Sequence, residues 1–330
     1  LRGVALSTAP RVPLLGGIAS AEAAIISERH RKETMTDVLD WGIKVVLWWQ
    51  QLSPTLDGLF RFLTFLGGHT FSVLLITFVY WCVERRTGAR LLVLFLFSGY
   101  LNTVAKALGG QPRPFDYDSR VKKLTPAGGF GLPSGHTQNT AVVWGYLALS
   151  FKNPFVWVFA GLLTILVPLS RVYLGVHFPT DLLGGYALAA VLLTGFHKYS
   201  AALESWMSRQ RLMRQVGLAL GIPVLLIVVN PGKTYAAVAA GALMGVATGI
   251  VLERRFVRFS AAGPWWKRGV RYGIGVSLLI GLWFGLRSLL ASLEPRVLFH
   301  ALRYLLIGLW AVWGAPFVFV RLGLAAADSC

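Results

Sequence analysis

PFVWVFAGLLTILVPLSRVYLGVHFPTDLLGGYALAAVLLTGF, residues 154–196, is the stretch whose reading decides the fold. It contains two apolar runs, 154–169 and 178–196, joined by a short segment that carries Ser170, Arg171 and His177, with Asp181 at the start of the second run. Apolar runs near the ~20 residues that span a bilayer, with polar groups confined to their junction, read as two transmembrane helices and the turn between them. The pattern continues outward in both directions, with further runs at 41–66, 70–83, 91–108, 137–151, 216–229, 235–252, 270–290 and 297–322. The first is the irregular one: Pro54, Asp57 and Arg61 interrupt it and suit an interfacial helix followed by a short span. Soluble domains carry about 25% charged residues, whereas this 330-residue chain has 14%, with 55% hydrophobic. The expected fold class is therefore all-α, a polytopic membrane helix bundle of about ten spans.

Lys and Arg number 32 against 14 Asp and Glu, a net charge of +18. The cations sit mostly between apolar runs, which points to lipid headgroups and topology and away from nucleic acid. One set of alternate connections holds Arg85, Arg86, Arg90, Lys152, Lys198, Arg209, Arg211, Arg214, Arg254, Arg255, Arg258, Lys267, Arg268 and Arg271. The other holds Arg113, Arg120, Lys122, Lys123, Arg171, Lys233 and Arg296 and is the poorer. The richer set is expected on the cytoplasmic side, with both chain ends.

Residues 1–34 are Ala-, Pro- and Gly-rich, lack a clear helical period, and read as a disordered arm, a segment upstream of a start at Met35, or a signal peptide. Residues 201–215 read as a basic cytoplasmic linker between a region at 35–200 and a C-terminal membrane region at 216–330. Gly241, Gly245 and Gly249 recur on one helix face, where small residues permit close helix approach, within the chain or between two copies as a homodimer. The two cysteines, Cys82 and Cys330, form no paired framework, and no cluster of Cys, His and carboxylates has metal-ligand spacing.

The cation-poor connections gather the chemistry. Lys106 lies near the end of the third run, followed by Arg113-Pro114; Pro133-Ser134-Gly135-His136 precedes the fourth; Ser170-Arg171 closes the fifth; His177 opens the sixth, with Asp181 four residues on. Because successive run ends alternate sides, these four stretches fall on one face of the membrane. Lys106, Arg113 and Arg171 can neutralise a phosphoryl group, the arginines through planar forks matched to its oxygens. Ser134-Gly135 should turn into a helix N-terminus, whose unpaired N–H groups attract anions. At i and i+4, His177 and Asp181 are expected to share a helix face, the carboxylate fixing the imidazole tautomer and leaving the other nitrogen free to attack. His136 is placed to act as general acid.

At these residues the sequence resembles the type-2 phosphatidic acid phosphatase family. The family's three-part pattern reads here as Lys106 with Arg113-Pro114, then Pro133 to His136, then Ser170-Arg171 with His177 and Asp181, complete and in order. The resemblance spans roughly residues 56–199 and implies a six-helix core, to which about four C-terminal helices are added. It implies a nucleophilic His177 that forms a phosphohistidine, an orienting Asp181, and a general acid at His136. Lys106, Arg113, Arg171, Ser134 and Gly135 would hold the phosphate, with no metal and no other cofactor. The substrate would be a lipid phosphate monoester or pyrophosphate, undecaprenyl pyrophosphate or a glycerolipid phosphate first. The site would face the extracytoplasmic side of a bacterial cytoplasmic membrane. Transfer of the phosphoryl group to a second lipid is the competing enzyme reading, and a non-catalytic transporter or scaffold the reading of a different class.

The sidedness yields a prediction: a single cysteine introduced at Ser119 is labelled by a membrane-impermeant maleimide in intact cells. Labelling only after the inner leaflet is exposed would reverse the topology.

Overall fold

A computed structural model of the chain describes residues 14–230, 234–290 and 292–327. The first helix, α1, runs Leu14–Gln50, and after a turn through Ser53-Pro54 comes α2, Asp57–Leu66. Then follow α3, His69–Phe78; α4, Arg85–Gly109; the short α5, Pro114–Tyr117; α6, Gly135–Phe151; α7, Pro154–Tyr173; and α8, Pro179–Ser208. The last third adds α9, Leu212–Val229; α10, Thr234–Leu252; α11, Trp265–Leu290; α12, Arg296–Leu309; and α13, Ala315–Arg321. Seven of the described helical stretches are long and apolar enough to cross a bilayer, and α2 with α3 forms an eighth bent by 48°. With α2 and α3 taken as one bent unit, α12 and α13 as another, and the four-residue α5 left aside, six helical units precede residue 210 and four follow, as expected.

Two expectations, those for residues 1–34 and 201–215, are corrected, and two open readings are decided. The run at 41–66 is not one segment, because Pro54 and Asp57 break it: its first part ends α1 and its second, α2, joins α3. Residues 14–34 are helical, continuous with α1, whereas 1–13 lie outside the described residues. The linker at 201–215 contracts, since α8 continues through Ser208 and α9 starts at Leu212. The glycine face of α10 is filled from within the chain. A Cβ on Gly245 would stand 2.0 Å from the Leu305 carbonyl oxygen, one on Gly241 2.4 Å from that of Ala301, and one on Gly249 3.1 Å from Val312. Packed backbone to backbone against α12 and the turn after it, this face is closed to a second copy.

Local sequence explains where the core helices begin. Glu84 caps α4, its carboxylate accepting from the N–H groups of Arg86 and Thr87. Asn153 caps α7 through the Phe155 N–H, with Pro154 in the first turn. Ser134 caps α6, its Oγ accepting from the Thr137 N–H. The chain leaves α7 through Gly175 at φ +73°, where a Cβ would lie 2.3 Å from the Lys122 carbonyl oxygen, so only glycine fits. Helix α6 packs on α4, α7 and α8 and is the centre of the core.

In the C-terminal extension α10 is central. Of its most apolar stretch 61% is buried, against 11% for α9 and α11, which are therefore peripheral. The extension is joined to the core through two π-helical turns, Val79–Val83 and Trp310–Gly314. A π turn shifts the hydrogen-bond register and frees carbonyls for other donors. The Trp81 indole N–H donates to the Ala311 carbonyl at 2.8 Å, and the Tyr80 hydroxyl to that of Val312 at 3.0 Å. Both rings are fully buried; Trp81 lies edge-on to Phe319, and Tyr80 edge-on to Phe259.

The α10–α12 contact predicts that Gly245→Val lowers the thermal unfolding midpoint in detergent by about 5 °C or more. Gly281→Ala, where a Cβ meets nothing within 4 Å, leaves it unchanged.

Candidate active site

The motif residues converge at one end of the core, where α4 stops, α6 and α8 start and α7 ends. After α4, capped by Gly110 in the left-handed region, the chain passes through Gln111 and Arg113 into α5 and then into the loop that leads to Ser134. That loop is folded over the cations. Lys106 Nζ donates to the carbonyls of Phe130 and Gly131, each at 2.8 Å. Arg113 is 6% exposed and spends its fork on the backbone: Nε on Gly129, one terminal nitrogen on Gly128, the other on Val176 at 2.7 Å. From α1, the buried Gln50 ties this loop to the end of α7, donating to the Lys122 and Tyr173 carbonyls and accepting from the Lys122 N–H.

His177 and Asp181 meet, though not by sharing a helix face. His177 precedes α8, whereas Asp181 sits in its first turn and reaches back to cap it, accepting the Phe178 N–H at 3.0 Å. The same carboxylate oxygen lies 2.9 Å from His177 Nδ1. Its other oxygen accepts from Gln111 Nε2 at 2.7 Å. Asp181 thus has three donors and a fixed orientation. His177 Nε2 faces Arg113 Nη1 at 3.3 Å. A guanidinium only donates, so Nε2 carries the lone pair and Nδ1 the proton. Burial first, and then the positive charges of Arg171, Arg113 and Lys106, hold the imidazole well below the ordinary imidazole range, in its neutral form.

Arg171 is 4% exposed; one terminal nitrogen donates to Thr64 Oγ1 at 2.6 Å, while its Nε–H is buried without a partner. Among the described residues none of Lys106, Arg113 and Arg171 has a carboxylate within ion-pair distance. Ser134 is fully buried, its Oγ occupied by Thr137, and Gly135 opens α6 with His136, half-buried, next. An uncompensated buried charge costs roughly 3–5 kcal/mol. Two buried guanidiniums and the half-buried Lys106 ammonium thus stand here without a carboxylate partner among the described residues, and the Arg171 Nε–H has a bond left to make.

Sequence reasoning had singled out all eight of these residues. It missed Gln111, which lies inside the first motif's spacer and was open to view as its only amide, and Gln50 and Thr64, which have no local signal. Among the described residues no group of three or more His, Cys, Asp or Glu side chains could hold a metal ion.

Fold and site together define a polytopic membrane protein with an oriented histidine beside Arg113 and near Lys106 and Arg171. The sequence model of the PAP2 superfamily matches residues 87–204, and that of the PAP2 superfamily phosphatase transmembrane extension matches 237–327. Phosphatidylglycerophosphatase B of Bacillus subtilis is 36% identical over 42% of this chain and 72% of its own length. Mouse sphingosine-1-phosphate phosphatase 2 is 33% identical over 41% of this chain, which spans only 40% of that protein. A solved PAP2-type phosphatidylglycerolphosphate phosphatase from Bacillus subtilis is 28% identical, with a TM-score of 0.43 over 50% of this chain and 87% of its own.

The chain belongs to the PAP2 superfamily, as an integral membrane phosphatase that carries the superfamily's transmembrane extension. The C-terminal helices, without an assignable motif in the sequence, are thus largely that extension, and α9 falls outside both matches.

The Gln111–Asp181 contact predicts that Gln111→Ala lowers kcat on a lipid phosphate about tenfold while KM stays within about twofold, because it orients Asp181 and does not touch substrate. A matched rise in KM in steady-state phosphate release would place Gln111 against the substrate instead.

Proposed function

We propose that this protein hydrolyses a lipid phosphate monoester or pyrophosphate through a phosphohistidine on His177, without a metal, on the extracytoplasmic face of the membrane. The observation that carries the reading is Arg171, buried with no carboxylate and an idle Nε–H, beside a histidine already oriented for attack. The phosphoryl oxygens would satisfy Arg171, Lys106 and the α6 N-terminus at Gly135. Arg113 Nη1 would turn from Nε2 to the same phosphate, releasing the lone pair.

His177 Nε2 then attacks phosphorus as the ester P–O bond breaks. His136 protonates the leaving oxygen, and Asp181 stabilises the imidazolium character that develops on His177. Water next attacks phosphorus, the N–P bond breaks, and His136 takes the water's proton. Three preplaced cations stabilise the charge gathering on the equatorial oxygens in both steps. A glycerolipid phosphate is the first substrate class to test, on the strength of the Bacillus relative, with a polyprenyl pyrophosphate second.

The experiment is phosphate release by detergent-purified protein on a panel of lipid phosphates, with EDTA present and His177→Ala in parallel. Release should survive EDTA and fall about 10³-fold or more in the variant. Equal release by both proteins would remove His177 as nucleophile, and phosphorylated acceptor lipid without free phosphate would favour transfer. Because the His177 pKa is depressed, its neutral form persists as pH falls through the ordinary value of about 6.5. Rapid-quench phosphoenzyme formation should therefore keep its rate through that pH and lose it only well below.

A further inference from the structure

A cavity of about 470 Å³ opens at the opposite end of the core, where the core meets the extension. The start of α4 contributes Arg85 and Arg86, the end of α8 Glu204 and Ser205, and the π-helical turn after α10 Glu253 and Arg254. Arg86 is about 20 residues before Lys106 on the same helix, or ~30 Å at 1.5 Å per residue. This cavity and the motif site therefore lie toward opposite membrane faces.

The cavity wall carries three arginines, Arg85, Arg86 and Arg254, and two glutamates, Glu204 and Glu253. Glu204 accepts from Arg86 at 3.0 Å and from Arg90 at 2.7 Å, and Arg254 stands 3.9 Å away. Glu253 is paired with Arg85 at 3.0 Å and also caps the Phe259 N–H. Arg86, Arg90 and Arg254 thus converge on the Glu204 carboxylate, Arg86 and Arg254 from the wall of the cavity. The Arg86 and Arg254 side chains are 62% and 43% exposed, so their forks present N–H groups to whatever enters. Paired guanidinium forks at a membrane surface match phosphate oxygens.

We propose that this cavity is a second phosphate-binding site, which takes either the headgroup phosphate of an anionic lipid in the leaflet opposite the motif site or free inorganic phosphate. Bound there, the anion bridges α4 to the π turn after α10 and ties core to extension. The proposal does not rest on the reaction assigned to His177.

The test uses the full-length, delipidated protein in detergent, beside Arg86→Ala/Arg254→Ala. Both are titrated with phosphatidylglycerol, phosphatidylcholine and inorganic phosphate. Lipid occupancy is read by native mass spectrometry and stabilisation by thermal unfolding. The motif site is unchanged in the double variant, so any difference between the two proteins belongs to the cavity. Phosphatidylglycerol is expected to outcompete phosphatidylcholine on the wild type and to bind the double variant about tenfold more weakly or worse. Stabilisation by inorganic phosphate that the double variant loses, with no lipid preference, would assign the site to the free anion. Equal affinity of both proteins for phosphatidylglycerol and for phosphate overturns the proposal. Should the double variant not fold, Arg86→Gln, which leaves Arg90 on Glu204, must weaken binding in the same direction; unchanged binding there overturns it equally.

Discussion

Three cations packed together without a carboxylate among them govern how this end of the bundle is built. Lys106, Arg113 and Arg171 repel one another, and burial removes the water that would screen the two arginines. The chain answers with dipoles. Four carbonyls of the 128–131 loop and that of Val176 turn toward Lys106 and Arg113, which is why this loop, without regular structure, is nonetheless closely placed. Arg171 receives only the Thr64 hydroxyl. Carbonyl dipoles hold a cation in place without neutralising it, so the site stays electropositive. The carboxylate that is present, Asp181, is turned onto His177, Phe178 and Gln111 and away from the arginines.

Much of this was legible in the sequence, for a physical reason. Apolar runs and their polar ends report the membrane boundary directly, and alternation of sides brought Lys106, His136, Arg171 and His177 to one face before any contact was known. What escaped depends on contacts distant in the chain. Gln50 reaches Lys122 across 72 residues and Thr64 reaches Arg171 across 107, and neither leaves a local trace. The His177–Asp181 pair was expected from helical spacing, whereas it forms through N-capping geometry, because Pro179 starts α8 only after the histidine. A four-residue separation serves both arrangements, so spacing alone cannot distinguish them. The glycines of α10 reported close packing correctly, and only the position of α12 reveals that the neighbour belongs to the same chain.

The extension gives the core more than neighbours. Its α10 lies along α4, the helix that carries Lys106 at one end and Arg86 at the other, so one rigid element touches the motif site, the extension and the second basic cavity. Tyr100, midway along α4, donates its hydroxyl to the Leu226 carbonyl of α9 and is itself bonded by Asn230. The added helices therefore brace the helix that positions the first motif, while the loop over the cations is held from the other side by Gln50 of α1.

The joint at Tyr80 and Trp81 also has a meaning in time. These residues belong to a span made early in synthesis, and the carbonyls that receive their polar atoms, those of Val312 and Ala311, lie more than two hundred residues later. Until that late segment inserts, an indole N–H and a phenol stand in or near lipid with no assigned acceptor, a condition costly in hydrocarbon. The nascent chain thus carries an open bond across more than two hundred residues. A chain interrupted in between would lack both acceptors and leave the two aromatic side chains with unpaired polar atoms in the bilayer.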